Sequence, residues 1–325
     1  MLYAALPDDT PHRLPFYLAM EEWLARARHD DLFFMWQVDP TVICGRNQIV
    51  DLEVNLPYCR SNSIDVCRRK SGGGCVFADR NNIMFSYITT ARSVETTFAG
   101  YTAAVAAMLR GLGLDASATS RNDVLIGDRK VSGNAFYHIP ELSRCIVHGT
   151  MLYDTDMTHI TRAITPSRAK LESKGVKSVA SRITTVREHL PLTLDEFKAH
   201  ARRSMCGDKE ITLSEQDIAE IVRMEAELET PEWIFRKTSG AATVRTARID
   251  GVGELRADIS LDSGIIRQVN LSGDFFMLAD IDSALLNRLR GVEYSREAIA
   301  DAVAGIKTEE IISSLSQQQF VNLII

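Results

Sequence analysis

Residues 68–74 read Arg68-Arg69-Lys70-Ser71-Gly72-Gly73-Gly74, three cations and a serine in front of three glycines. Consecutive glycines reach backbone angles closed to other residues and let a ligand press against bare main chain. Successive N–H groups in such a turn form an anion-binding concavity, and the neighbouring arginines and lysine add charge and donors for phosphate or carboxylate. With Cys75, Val76, Phe77, Ala78 and Asp79 following, the stretch predicts a nucleotide cradle. It is neither a Walker loop, which places a lysine after its last glycine, nor a G-x-G-x-x-G turn opening a helix. The plainer reading is a glycine-rich hairpin with solvated charges on its shoulder.

A second group of residues gathers around two predicted hairpins. Arg121-Asn122-Asp123 leads into a strand at 124–126, and Gly127-Asp128 fits a two-residue turn with glycine first. The return strand begins Arg129-Lys130-Val131-Ser132-Gly133. Another turn through Pro140-Glu141 brings in a strand over 144–153 that contains His148-Gly149-Thr150, so Lys130 and His148 are predicted on neighbouring strands. Their plain alternatives are an exposed hairpin lysine and a satisfied strand histidine beside Ile146 and Val147.

Hydrophobic patterning outlines the elements that must position these groups. Residues 14–28 carry Phe16, Met20, Trp23, Leu24 and Ala27 at helical spacing, with Pro15 near the first turn, where a missing N–H costs little. Glu21 and Glu22 read as solvated residues of this amphipathic helix. Apolar runs at 32–37 and 41–44, parted by Asp39-Pro40, predict two strands. The run at 63–67 predicts a strand delivering Arg68 and Arg69 to the glycine turn, and 75–77 and 83–89 predict strands beyond it. Helices are expected at 54–62, 94–112, 194–205 and 215–228, with a strand at 210–213. The poor periodicity of 161–187 predicts a loop of the kind that closes over ligands. After residue 240 come strands at 242–249, 254–261 and 265–271, then helices from Ser283, Ser295 and Thr308. This pattern predicts an α+β protein: a large domain over residues 1–238 with mixed, mostly antiparallel sheets flanked by helices, and a small α+β domain over 239–325 without evident chemistry.

The bulk numbers narrow the function classes. The 325 residues are 45% apolar and 25% charged, ordinary globular values at a length that accommodates two domains. No apolar run approaches the roughly 20 residues of a membrane-spanning helix, and the start, with Pro7, Asp8 and Asp9, lacks a signal-peptide pattern; a cytoplasmic monomer is expected. Six cysteines are scattered without a C-x-x-C pair or a histidine at metal spacing, which argues against a zinc or disulfide framework. The net charge of −6 and the absence of a binding module argue against nucleic acid. Residues 161–187 nevertheless hold seven basic residues against one acid, while 241–325 hold eight against twelve. A basic segment in an acidic chain suits a polyanion or an acidic partner.

Taken in order, Arg68-Arg69-x-Ser71-Gly72-Gly73-Gly74, Arg121-Asn122-Asp123, Gly127-Asp128-Arg129-Lys130-Val131-Ser132-Gly133, His148-Gly149-Thr150 and Lys174-Gly175-x-x-Ser178-Val179-x-Ser181-Arg182 resemble the lipoate–protein ligase A family over nearly all of the first 190 residues. The final portion resembles the accessory domain of such ligases in architecture. The resemblance implies that lipoate and ATP form lipoyl-adenylate and pyrophosphate, and that the acyl group passes to a lysine of a lipoyl domain, as in 2-oxoacid dehydrogenase E2 subunits, or of the glycine cleavage H protein. It implies Lys130 as the catalytic residue and Arg69, Gly74, Cys75, Val76, Phe77, Lys130, Lys174 and Arg182 as the nucleotide site. Lipoate is then expected against Arg69, Ser71, Gly73, Lys130 and His148, in an apolar slot lined by Trp36, Val76, Phe77 and Met151. Asp123 is a possible ligand for Mg²⁺. The chemistry agrees: when a carboxylate attacks the α-phosphorus two anions approach, and a fixed ammonium that contacts both lowers the barrier.

Four positions depart from the family's common residues, with Cys75 in place of alanine, Ala78 of histidine, Ser120 of glycine and Ala180 of arginine. Two alternatives follow. One is a cysteine-dependent octanoyl or lipoyl transferase of the same superfold, which requires an activated thiolate near Lys130, with Cys75 and Cys145 as the cysteines within reach. The other is a non-catalytic acyl-adenylate binder. Biotin–protein ligase shares the chemistry, but its arginine and glycine pattern differs from that of residues 68–74.

Overall fold

Pro15 lies in the first turn of helix α1 (Leu14–Ala27), and from Leu14 to Ala25 every residue of that helix is buried. A helix buried all round has no solvated face, because it is packed between a sheet and a second helix. That arrangement overturns the expectation for Glu21 and Glu22: they are 0% and 7% exposed. The computed structural model describes residues 1–8, 10–90, 94–119, 122–155, 157–164, 182–236, 241 and 243–325.

Among the described residues, strands β1 (Leu2–Ala5), β2 (Leu32–Trp36), β6 (Asn82–Thr90), β7 (Ala116–Ala118), β8 (Asp123–Ile126), β9 (Arg129–Ile139), β10 (Arg144–Leu152) and β11 (Glu210–Thr212) form one sheet in the order β11-β1-β2-β6-β10-β9-β8-β7. Within that sheet, among the described residues, only the β11-β1 and β1-β2 pairings are parallel. A smaller sheet, β3 (Thr41–Cys44), β4 (Asp65–Arg68) and β5 (Val76–Ala78), has the order β4-β3-β5 and carries the glycine turn between β4 and β5. The mixed, mostly antiparallel architecture is as expected. Strands β1 and β7, of four and three residues, are additions, too short to show alternation.

The period of two along a strand divides the main sheet's residues between two cores. Phe33, Phe85, Cys145, Val147 and Met151 face helices α2 (Val94–Arg110) and α3 (Leu194–Cys206). Phe34, Trp36, Ile88 and Ile146 face α1 and, beyond it, α4 (Glu215–Leu228). The functional groups described below lie on this second side.

The C-terminal unit, built on β12 (Thr243–Ile249), β13 (Gly253–Asp262) and β14 (Ile265–Gly273), has its own core, in which Leu255 and Ile259 of β13 and Leu271 of β14 meet Phe320 of α5 (Gln317–Ile324). Thr308–Glu310 is a single 3₁₀ turn rather than the start of the last helix, which begins after Ser316, whose side chain makes a capping box with Gln319. The unit is joined to the glycine turn through main chain: Gly73 N–H donates to the Phe275 carbonyl at 3.1 Å, and Gly273 N–H to that of Asn47 at 3.0 Å. Phe276 packs between Phe98 and Phe136, at ring-centroid distances of 6.5 and 5.7 Å.

Candidate active site

The glycine turn is shaped by Arg69. Its Nε donates to Ser71 Oγ at 2.9 Å, Nη1 to the Ile43 carbonyl at 3.0 Å, and Nη2 to those of Gly72 and Gly74 at 2.6 and 2.8 Å. Four of the five N–H groups of a guanidinium are thereby committed, three to its own loop and one to β3. Drawing carbonyls inward makes the chain reverse at Gly73, whose φ of +87° is a conformation that side chains disfavour. Arg69 thus organises the cradle while its edge lines the cleft.

The other two cations are also committed inside the protein, which corrects their reading as free phosphate donors. Arg68 is fully buried, donating to the carbonyls of Ile234, Gly45 and Arg46, and burial lowers its pKa to about 10. Lys70 and Arg26 both pair with Glu22. Burial pushes the Glu22 carboxyl up, but its bonds to Lys70 and Arg26 outweigh that and keep it below the ordinary value. A folded-state pKa below the unfolded value of about 4.3 contributes stability above that pH, which is lost as pH falls through the folded value. Glu22→Gln is therefore expected to lower the urea midpoint at pH 7 and to flatten its fall below about pH 4.3. An acid limb as steep as the wild type's would remove the pair from the stability account.

Beside the turn lies a cleft of about 570 Å³, within the usual range of small-molecule sites. Leu18, Trp36, Met84 and Val76, which belong to the core packed against α1, give the cleft an apolar stretch of wall, and Asn122, Asp123, Lys130 and Arg182 also line it. A separate depression of about 590 Å³ under α3, lined by Tyr3, Lys198 and Arg202 among others, contains none of the motif residues.

Two hydrogen-bond chains run behind the cleft and meet at Glu21. Arg69 Nε and Trp36 Nε1 only donate and a carboxylate only accepts, so the serines accept at one end and Glu21 accepts at the other. From Arg69 the chain passes to Ser71 Oγ, then at 2.6 Å to His148 Nε2, leaving His148 Nδ1–H for Glu21 Oε2 at 2.9 Å. From Trp36 it passes at 2.8 Å to Ser86 Oγ, whose O–H donates to Glu21 Oε1. Glu21 accepts from both, so the glycine turn, the histidine and the tryptophan wall share one buried carboxyl group.

Lys130 stands at the mouth of the β8–β9 hairpin, with Nζ 2.7 Å from Asp123 Oδ1. Its side chain folds back over Gly133, where a Cβ would lie 2.6 Å from Nζ. The segment that re-enters at Arg182 lies alongside: Ile183 bridges to Lys130 in parallel fashion, and Thr184 N–H donates to the Lys130 carbonyl at 2.9 Å. Lys130 and Arg182, 52 positions apart in sequence, therefore line one cleft.

Gly73, Gly74, Cys75, Val76, Phe77, Arg69, Trp36, His148, Asp123, Lys130 and Arg182 line that cleft. Lys174, with Arg121, Ser120 and Ala180, lies outside the described residues. Ser71 is fully buried behind the turn, in the chain from Arg69 to His148. Met151 is a correction. It is 0% exposed in the core facing α2 and α3, because an offset of three along a strand puts it on the face opposite His148; Thr150 and Leu152 line the cleft in its place. Cys145 shares that far face and burial pushes its thiol up to about 12, while the Cys75 thiol is pushed up by its contact with Cys44 and by burial. Neither supplies the activated thiolate that the transferase alternative requires. The C-terminal unit, read as lacking chemistry, contributes Arg248, Asp274 and Phe276 to the cleft wall.

Comparison with known proteins agrees with this geometry. Residues 14–205 match the lipoyl protein ligase A/B catalytic domain and residues 241–324 the bacterial lipoate protein ligase C-terminus. Lipoate-protein ligase LplJ of Bacillus subtilis is 31% identical over 321 residues, covering 94% of this chain and 95% of its own. The fold matches P. falciparum LipL1, solved in complex with lipoate, at a TM-score of 0.77 and 17% identity, over 99% of this chain and 97% of that one. It also matches a lipoate-protein ligase A bound with ATP at 0.62 and 23% identity, over 72% and 99%. With both domain families matched in order and a relative aligned nearly end to end, the chain belongs to the lipoate-protein ligases.

Proposed function

We propose that this ligase joins the carboxyl group of lipoate to AMP, releasing pyrophosphate from ATP, and then passes the acyl group to a lysine of a lipoyl domain. The observation that carries the reading is Lys130 Nζ, paired with Asp123 on the β8–β9 hairpin, in the same cleft as the apolar wall around Trp36. The aliphatic chain and dithiolane of lipoate suit the wall of Trp36, Val76 and Leu152, with the carboxylate toward Lys130. The nucleotide follows the main chain of Gly74, Cys75, Val76 and Phe77, and the basic segment with Lys174 and Arg182 closes over the adenylate. An oriented ammonium meeting both carboxylate and phosphate stabilises the charge that develops during attack. In the second step the incoming lysine must be neutral, and cationic surroundings disfavour its ammonium form.

Among the described residues no three His, Cys, Asp or Glu side chains converge as a metal site. A single carboxylate, that of Asp123, fits Mg²⁺ entering on nucleotide phosphates, where the ion would neutralise leaving pyrophosphate. We assign residues 1–238 to the catalytic domain and 239–325 to the accessory domain. The acceptors proposed are E2 lipoyl domains and the glycine cleavage H protein, modified by a cytoplasmic monomer; no helix among the described residues is long and apolar enough to cross a membrane. The +6 charge of residues 161–187 suits acidic acceptors.

The test is lipoate-dependent exchange of labelled pyrophosphate into ATP by the purified protein with Mg²⁺, with biotin and octanoate as comparison acids. Exchange with lipoate is expected. A folded protein that exchanges with none of the three acids would overturn the adenylation step.

A further inference from the structure

Cys44 and Cys75 meet at the base of the glycine turn with their sulfur atoms 3.4 Å apart. The β3–β5 register pairs Thr41 with Ala78, Val42 with Phe77 and Ile43 with Val76, so the next step sets Cys44 directly across from Cys75. Opposed residues of antiparallel strands have Cα atoms about 4.5–5.5 Å apart. A disulfide spans about 4.4–6.8 Å between Cα atoms, so the two strands here bring the pair within its reach. The two thiols differ in access. Cys44 is closed inside a small core with Val42, Val50, Val54 and Phe77, while Cys75 is half-buried and lines the cleft. Cys44 accepts the Cys75 S–H and lies near Arg68 and Arg69, which together favour its thiolate. The Cys75 S–H is thus held against the sulfur with which it would join.

We propose that Cys44 and Cys75 are a site of reversible oxidative modification, closed to a disulfide by hydrogen peroxide, which switches off adenylation in the adjoining cleft. Peroxide arrives from the cleft at Cys75. The Cys75 sulfur attacks the O–O bond while its S–H proton passes to the departing hydroxide, giving a sulfenic acid and one water. Cys44 sulfur then attacks Cys75 sulfur, and the sulfenic hydroxyl leaves with the last thiol proton as a second water. Two thiols lose two hydrogens and two electrons, and one peroxide becomes two waters. A thiol or phosphine reductant reverses the bond. Forming it draws sulfurs now 3.4 Å apart to about 2.05 Å, pulling on the main chain between Gly74 and Val76 that lines the cleft. Displacements on the order of 1 Å at a reacting site cost as much as a hundredfold, so a loss of about tenfold or more is expected. The loss of activity rests on the adenylation reading; formation of the bond does not.

The full-length protein is treated with peroxide, desalted, and followed by free-thiol count under denaturing conditions, by mass mapping of linked peptides and by pyrophosphate exchange. The six thiols of the untreated chain should fall by two, with a Cys44–Cys75 linked peptide, and exchange should fall about tenfold and return after reduction and desalting. Cys44→Ala, or Cys44→Val if the alanine variant folds poorly, should form no linked peptide and resist peroxide doses that inactivate the wild type. The proposal is overturned if all six thiols survive, if Cys75 links elsewhere, if the bond forms without loss of exchange, or if the Cys44 variants are inactivated as fast as the wild type. Should the untreated protein exchange with no acid, the adenylation reading fails and the switch with it, while thiol count and peptide map still decide the modification.

Discussion

Lys130→Ala is expected to lower lipoate-dependent pyrophosphate exchange on the order of a hundredfold or more, the cost of removing one oriented donor from a charge-developing transition state. The structure allows that loss without unfolding. The Lys130 side chain is 34% exposed and its partner Asp123 31%, a half-solvated pair of the kind worth about 1 kcal/mol or less. The melting temperature should therefore stay within a few degrees of the wild type. Lys130→Arg is expected to rescue little. Nζ occupies the space left by the missing Cβ of Gly133, and a planar fork is wider than a compact ammonium. Wild-type exchange in a folded Lys130→Ala protein would take the central role away from this residue.

Much of the framework was legible because its signals are local. The strands at 32–37 and 41–44, the two hairpins that bring Lys130 and His148 onto neighbouring strands, and the 14-residue helix at 215–228 all follow from local periodicity and turn chemistry. What stayed hidden depends on what lies across the sheet. Helical spacing gives Glu21 and Glu22 a polar face, and only the packing of α1 between β6, β10 and α4 removes the solvent from it. Three cations before three glycines look alike in sequence, yet Arg68 braces the chain at Ile234, Arg69 folds the turn and Lys70 pairs with Glu22. Met151 differs: an odd offset from His148 on one strand already assigns it to the other face. For Arg248, Asp274 and Phe276 no local signal exists, since nothing in a strand pattern tells which edge of a small domain abuts another.

The largest effect expected of a residue that reads as ordinary helix surface belongs to Glu21. In Glu21→Ala, His148 Nδ1–H and the Ser86 O–H lose their acceptor at a fully buried position. Each buried donor left unpaired costs about 1–3 kcal/mol, so a fall of roughly 2–6 kcal/mol in unfolding free energy is expected. A general loss of stability would not distinguish positioning from packing; the kinetics do. Trp36 and His148 face the cleft and are oriented through Glu21 at one remove or directly, whereas the main chain of Gly74 to Phe77, proposed to follow the nucleotide, is held by Arg69 and by pairing with β3 and reaches Glu21 only through Ser71 and His148. Glu21→Ala should therefore raise KM for lipoate more than KM for ATP, by about tenfold for the former, since a displaced wall changes ground-state binding of the ligand it touches. Glu21→Gln should fall between. Its amide oxygen still accepts one of the two donors, but the NH₂ faces the other, so one chain must turn away. Equal changes in both KM values, or none in an alanine variant that has lost stability, would make Glu21 a buried packing group and leave the orientation of Trp36 and His148 to the sheet alone.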